Sequence, residues 1–98
     1  MDSITAEEVK RRLEQGEQLN IIDVREDDEV AEGMIPGARH IPLYDLPMRL
    51  SEIERTDEII VVCHAGVRSA KACEYLEYMG FSGLKNLEGG MLKWHELG

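Results

Sequence analysis

Cysteine, proline and aromatic residues are all scarce in this chain: two, three and 5% respectively among 98 residues. So few cysteines exclude the disulfide framework on which small secreted domains depend. So little proline argues against an extended or disordered chain. Long hydrophobic runs are also missing. The longest, Ile59-Ile60-Val61-Val62-Cys63, is far short of the roughly 20 apolar residues that cross a bilayer as a helix. The N-terminus carries no basic, apolar, small-residue secretory pattern, so a cytoplasmic location without a membrane partner is expected. Basic residues are outnumbered, with 11 Lys and Arg against 20 Asp and Glu and a formal net charge of −9. Nucleic-acid surfaces are held by clustered cations, so such a partner is not expected. A small anion remains compatible with this balance, because a local positive pocket can sit within an acidic envelope.

The chain is 43% hydrophobic and 32% charged, the composition of a globular protein, and residues 1–98 read as a single domain without repeats or linkers. Ser3 to Gly16 reads as a helix, with Thr5 as N-cap, Glu8 completing a capping box, and Ile4 and Val9 as a hydrophobic staple. Leu19 to Val24 is a β-branched run and reads as a buried strand. The acidic stretch Glu26 to Glu32 fits a short helix or structured loop, and its charges read as a solvated face. A turn and a short extended piece follow over Ile35 to Pro42. Leu43 to Ile53 has helical spacing, provided Pro47 falls in the first turn. Glu58 to Cys63 is apolar on both faces, as a central strand of a parallel sheet should be. Arg68 to Met79 reads as a helix with Ala72, Cys73, Leu76 and Met79 on its apolar stripe. A last strand, Gly83 to Leu87, precedes a terminal helix, Gly90 to Leu97. The alternation predicts an α/β fold with a mainly parallel β-sheet flanked by helices on both faces.

The stretch with chemical content is Cys63-His64-Ala65-Gly66-Val67-Arg68-Ser69, which joins the central strand to the next helix. Ligands of open parallel sheets bind beyond the carboxyl ends of the strands, beside helix N-termini. Cys63 is expected to point into that crevice, open to solvent, with the N–H groups of His64 to Arg68 converging around it. Converging amides and the positive end of a helix favour anions. They also favour a thiolate, the nucleophilic form of cysteine. Gly66 permits the necessary curl, and Arg68 adds a permanent charge with a planar donor fork. The alternative reading, Cys63 as the buried end of an apolar strand, lacks an account of the Gly and Arg that follow. Cys73, on the apolar stripe, reads as inert core. His64 could serve as an acid or base but is expected to point outward, and His40 either lines the crevice or lies on the surface. Met34, Met48, Met79 and Met91 read as core or rim packing. The few histidines and cysteines lack metal-ligand spacing, so no metal or cofactor is expected.

Four blocks carry a resemblance. They are Ile22-Asp23-Val24-Arg25-Glu26, Gly33-Met34-Ile35-Pro36-Gly37-Ala38 with Ile41-Pro42, Cys63 to Ser69, and Asn86-Leu87-Glu88-Gly89-Gly90 with Trp94. In this order they resemble the single-domain rhodaneses, the thiosulfate sulfurtransferases and related persulfide carriers. The resemblance implies that Cys63 is the catalytic cysteine and carries a persulfide. It implies that His64, Ala65, Gly66, Val67, Arg68 and Ser69 surround that sulfur and receive an anionic donor such as thiosulfate. Cyanide, a small thiol or a protein thiol would be the acceptor. Asp23 and Arg25 match a strand-end pair that supports the loop and the fold. Met34, His40 and Val30 depart from the family's common residues there, which bears on the acceptor surface. Cysteine-dependent phosphatases resemble a pattern with one more residue between Cys and Arg than the four present here, so phosphatase is the weaker alternative. A carrier module in a sulfur relay is the other.

Overall fold

The structure, a computed structural model, describes residues 1–98. Its elements in chain order are β1 (Asp2–Ile4), α1 (Ala6–Glu14), β2 (Ile21–Asp23), α2 (Asp27–Val30), β3 (Arg39–His40), β4 (Ile59–Val62), α3 (Val67–Tyr78), β5 (Leu84–Leu87) and α4 (Gly90–Glu96). The five strands form one sheet in the order β1-β5-β4-β2-β3, and every pairing is parallel. The fold is therefore α/β, as the alternation of patterns predicts.

Strand periodicity sorts the core into two halves. Ile59, Val61 and Cys63 point to one face of the sheet, together with Ile22 and Val24, and pack against Ala72, Cys73 and Leu76 of α3. Ile60, Val62 and Ile21 point to the other face and pack with Ala6 and Val9 of α1 and Met91 of α4. Both faces are thus covered, which is why β4 reads as an unbroken apolar run with all four residues buried. Each fully buried Ile, Leu or Val contributes on the order of 1.5–3 kcal/mol, so β4 is the most firmly held strand. After β2 the chain steps outward to β3, whereas after β4 it steps the opposite way to β5. The carboxyl ends of β2 and β4 therefore flank the point where strand order reverses, the place where such sheets open a crevice.

Three elements differ from expectation. The N-terminal helix starts at Ala6 rather than Ser3, because Asp2 to Ile4 pair with Lys85 to Leu87 as an edge strand. The Thr5 cap is where the sequence puts it, its hydroxyl accepting from the Glu8 N–H at 3.2 Å. Residues Leu43–Met48 and Leu50–Glu52 form two 3₁₀ turns instead of one α-helix. Pro47 lies beyond the first turn and has no N–H to give to an α-helical ladder. Met79 is 40% exposed, off the apolar stripe that it was expected to extend. Helix α3 ends at Tyr78, so Met79 follows its last turn.

Candidate active site

The loop after β4 wraps back on the sulfur of Cys63. The Gly66 N–H donates to Cys63 Sγ at 3.0 Å, and Ser69 Oγ lies 3.2 Å from the same atom. Gly66 is the N-cap of α3 with φ +104°, a conformation that favours glycine. Having no side chain, Gly66 cannot accept from the first amides of α3. The sulfur of Cys63 instead accepts from the N–H of Gly66 itself, at the start of α3. Ser69, the third residue of the helix, is fully buried. It also shares a short hydrogen bond with Asn86 Oδ1, while Asn86 Nδ2 donates to the Gly66 carbonyl at 3.0 Å. Asn86, on β5, thus ties the loop to the neighbouring strand.

Burial by itself would raise the thiol pKa of Cys63. The Ser69 hydroxyl and the N–H groups of Ser69, Gly66 and Ala65 outweigh it, and the pKa falls below its ordinary value. Cys73 has burial without such partners, and its thiol is pushed up to about 12. Both cysteines are free. Their environments differ: donors ring the Cys63 sulfur, whereas burial without such partners keeps the Cys73 thiol protonated at neutral pH.

The loop is pinned from a second side. The carbonyls of Cys63 and His64 accept from the N–H groups of Met91 and Leu92 at 2.9 and 3.1 Å, satisfying the open amides of α4. At Gly90, with φ +56°, an added Cβ would fall 2.4 Å from the Cys63 carbonyl oxygen and 2.5 Å from that of His64. Only a glycine lets α4 approach so closely.

Two arginines stand beside the loop, and both are engaged. Arg25 is 4% exposed and pairs with the fully buried Asp23, with Nε–Oδ1 and NH2–Oδ2 distances of 3.0 and 2.8 Å. It also donates to the carbonyls of Glu29 and Gly33 at 3.2 and 2.8 Å, fastening the segment that follows β2. His40 joins this framework through Nε2, 2.7 Å from the Arg25 carbonyl oxygen, and lies neither in the crevice nor on the open surface. Arg68 forms a two-point ion pair with Glu29 at 2.7 and 2.8 Å. This pair holds the Glu29 carboxyl down at about 2. Glu29 therefore departs from the expectation of a solvated acidic face: it reaches across 39 positions to clamp the loop.

Of the remaining loop residues, His64, Ala65 and Val67 are exposed. The outward orientation expected of His64 is what the structure has. Cys63 itself differs from expectation, being only 1% exposed. The loop that supplies the amides also covers the sulfur. A cleft of about 450 Å³ opens beside the loop, lined by Arg25, Glu29, Glu32, His64, Met91 and His95. A larger cleft of about 670 Å³ lies at the other end of the strands, among Arg12, Asn20, Arg39 and Glu58, remote from the thiol.

Comparison with known proteins places the chain as a whole. The rhodanese-like domain family matches residues 5–97. The chain belongs to that family. YtwF of Bacillus subtilis is 44% identical over 91 residues, which are 93% of this rhodanese-like chain and 87% of that protein. A protein of Allochromatium vinosum named sulfurtransferase is 36% identical over 94 residues, 96% of this chain and 88% of that one. The crystal structure of a rhodanese-like domain protein from Staphylococcus aureus has a TM-score of 0.89 at 44% identity, covering 96% of this chain and 91% of that one. Sulfurtransferases among its relatives support a transferase role for this rhodanese-like chain.

The sequence did not single out Glu29, Asn86 and Gly90 as parts of the site. Asn86 and Gly90 stand in the last block of the resemblance, which was the one available signal for them.

Proposed function

We propose that the protein transfers a sulfane sulfur through a persulfide on Cys63. The observation that carries this reading is the ring of donors on that sulfur: the Gly66 N–H at 3.0 Å, the Ser69 hydroxyl at 3.2 Å and the start of α3. In the first half-reaction the Cys63 thiolate attacks the outer sulfur of thiosulfate, or of another sulfane donor. A new S–S bond forms at Cys63, and the old one breaks with its electron pair leaving on sulfite. In the second, cyanide or a thiolate takes the outer sulfur, and the Cys63 thiolate departs. Splitting one transfer into two displacements is the advantage of a covalent intermediate. The amides are fixed before the reaction begins, so they stabilise charge on sulfur without having to reorganise.

Because the loop covers the thiol, entry of a donor sulfur requires a small outward movement at Ala65 and Gly66. These residues present little or no side chain to block it. Arg68 holds the loop through Glu29, and Asp23 and Arg25 hold the segment on which Glu29 sits. The test compares thiosulfate:cyanide transfer in two variants. Cys63→Ala should abolish thiocyanate formation, and Cys73→Ala should retain most of it. Equal losses in the two would overturn the assignment of the nucleophile.

A further inference from the structure

Anion sites are ordinarily read from their arginines, and here the arginines beside the thiol are already neutralised. Arg25 is committed to Asp23, and two guanidinium nitrogens of Arg68 are committed to the two oxygens of Glu29. The Glu29 carboxylate is itself held in place. Its Oε1 accepts from the Glu26 N–H at 3.0 Å, and its own carbonyl accepts from Arg25 at 3.2 Å. It stands on the one-turn helix α2, whose base is the buried Asp23–Arg25 pair. What faces the thiol is therefore a set of neutral amide and hydroxyl dipoles, with both neighbouring guanidinium groups already paired, inside a chain of net charge −9.

Amide dipoles suffice for one negative charge on a terminal sulfur. A sulfonate group bearing further charge finds no guanidinium to receive it, and the nearby carboxylates repel it. We propose that Glu29 is a specificity-determining positioning residue, which withholds Arg68 from the anion site and so directs the enzyme toward persulfides of thiol carriers rather than sulfonate-bearing donors such as thiosulfate. This rests on the Cys63 persulfide reading above. The chemistry balances in the same way: the Cys63 thiolate attacks the terminal sulfur of R–S–S⁻, the S–S bond of the donor breaks, and R–S⁻ leaves with the electron pair. At neutral pH the clamp is fully charged, since the Glu29 carboxyl titrates at about 2.

The test uses the full chain, with thiosulfate and cysteine persulfide as donors and sulfur loading of Cys63 followed by intact mass. In Glu29→Gln the amide oxygen can still accept from Arg68 and Glu26, but the charge is gone. The kcat/KM ratio of thiosulfate to cysteine persulfide should rise about tenfold in that variant, the size expected from removing one like charge near a site of intermediate dielectric. The rise should lie mainly in KM for thiosulfate. Glu29→Asp, which keeps the charge, should retain the wild-type ratio. A folded Glu29→Gln protein whose ratio is unmoved, or in which both donors weaken equally, overturns the proposal. So does an Asp variant shifted as far as the Gln variant. If Glu29→Gln fails to fold, the wild type decides through salt. With both arginines at the site paired, its thiosulfate kcat/KM should not fall as ionic strength rises, and a steep fall overturns the proposal. Absence of sulfur on wild-type Cys63 with both donors would instead refute the transfer reading on which the proposal rests.

Discussion

Removing the Ser69 hydroxyl should raise the pKa of Cys63, and the hydrogen-bond geometry sets the size of the effect. Ser69 Oγ lies 3.2 Å from Cys63 Sγ and is also bonded to Asn86 Oδ1. A hydroxyl has a single hydrogen. With the thiol protonated, the S–H can donate to Ser69 while Ser69 donates to Asn86, and every partner is satisfied. With the thiolate, the hydroxyl has to turn to sulfur, and Asn86 Oδ1 loses its donor. A hydrogen bond to a charged acceptor is worth about 1.5–3 kcal/mol, but part of that is offset by the abandoned Asn86 oxygen. A net of about 1.5 kcal/mol corresponds to about one pKa unit. Ser69→Ala should therefore move the thiol pKa up by about one unit, leaving the Ser69, Gly66 and Ala65 amides to supply the rest of the depression. The assay is the pH dependence of thiolate absorbance in a Cys73→Ala background, so that one thiol titrates. A pKa unchanged or lowered in Ser69→Ala would refute the reasoning, because it would mean that the hydroxyl contributes nothing to the charged form.

Other consequences follow from the same geometry. Gly90→Ala places a methyl against two backbone oxygens of the loop at a positive φ, and should cost about 2–3 kcal/mol in denaturant unfolding. It should also depress sulfur loading of Cys63. The burial of Cys63, at 1% exposure, should make its methylthiolation by a small reagent about tenfold faster than its reaction with a bulky aromatic disulfide, at equal thiolate fraction. Comparable rates would show the thiol to be open. At the far end of the sheet, Glu58 is bound by Arg12 at 2.8 and 2.9 Å and by Lys85 at 2.7 Å, which lowers its carboxyl to about 2. A carboxyl depressed in the folded state adds stability that is complete above its unfolded pKa near 4.5 and is lost as pH falls toward 2. Glu58→Gln should accordingly destabilise by about 1–2 kcal/mol at pH 7 and by little near pH 2, as measured by urea melts, the partial exposure of the pair reducing the full linkage value.

What the sequence made legible follows the range of the interactions. β4 and α3 could be read because burial on both faces and a helical stripe leave local patterns, and the Cys-to-Arg loop sits between them. Asp23 and Arg25, two positions apart and paired in the structure, were marked only by the resemblance. Edge strand β1 was hidden because Asp2-Ser3-Ile4 has one buried residue and becomes a strand only by pairing with β5. The stretch over Leu43 to Ile53 has helical spacing, yet a proline beyond the first turn diverts it into 3₁₀ turns. The partners that shape the site were the least visible. Glu29 meets Arg68 across 39 positions, and Asn86 meets Ser69 across 17. A carboxylate in an acidic run carries no local mark of the cation it will clamp. The depth of Cys63 was missed for a related reason: the same amides expected to converge on the sulfur must also close over it.

The most direct test of the central claim is a peptide-resolved mass measurement after incubation with a sulfane donor. One added sulfur atom is expected on the peptide carrying Cys63, removable by cyanide, and none on the peptide carrying Cys73. An unmodified Cys63 peptide, or sulfur found on Cys73 instead, would contradict it.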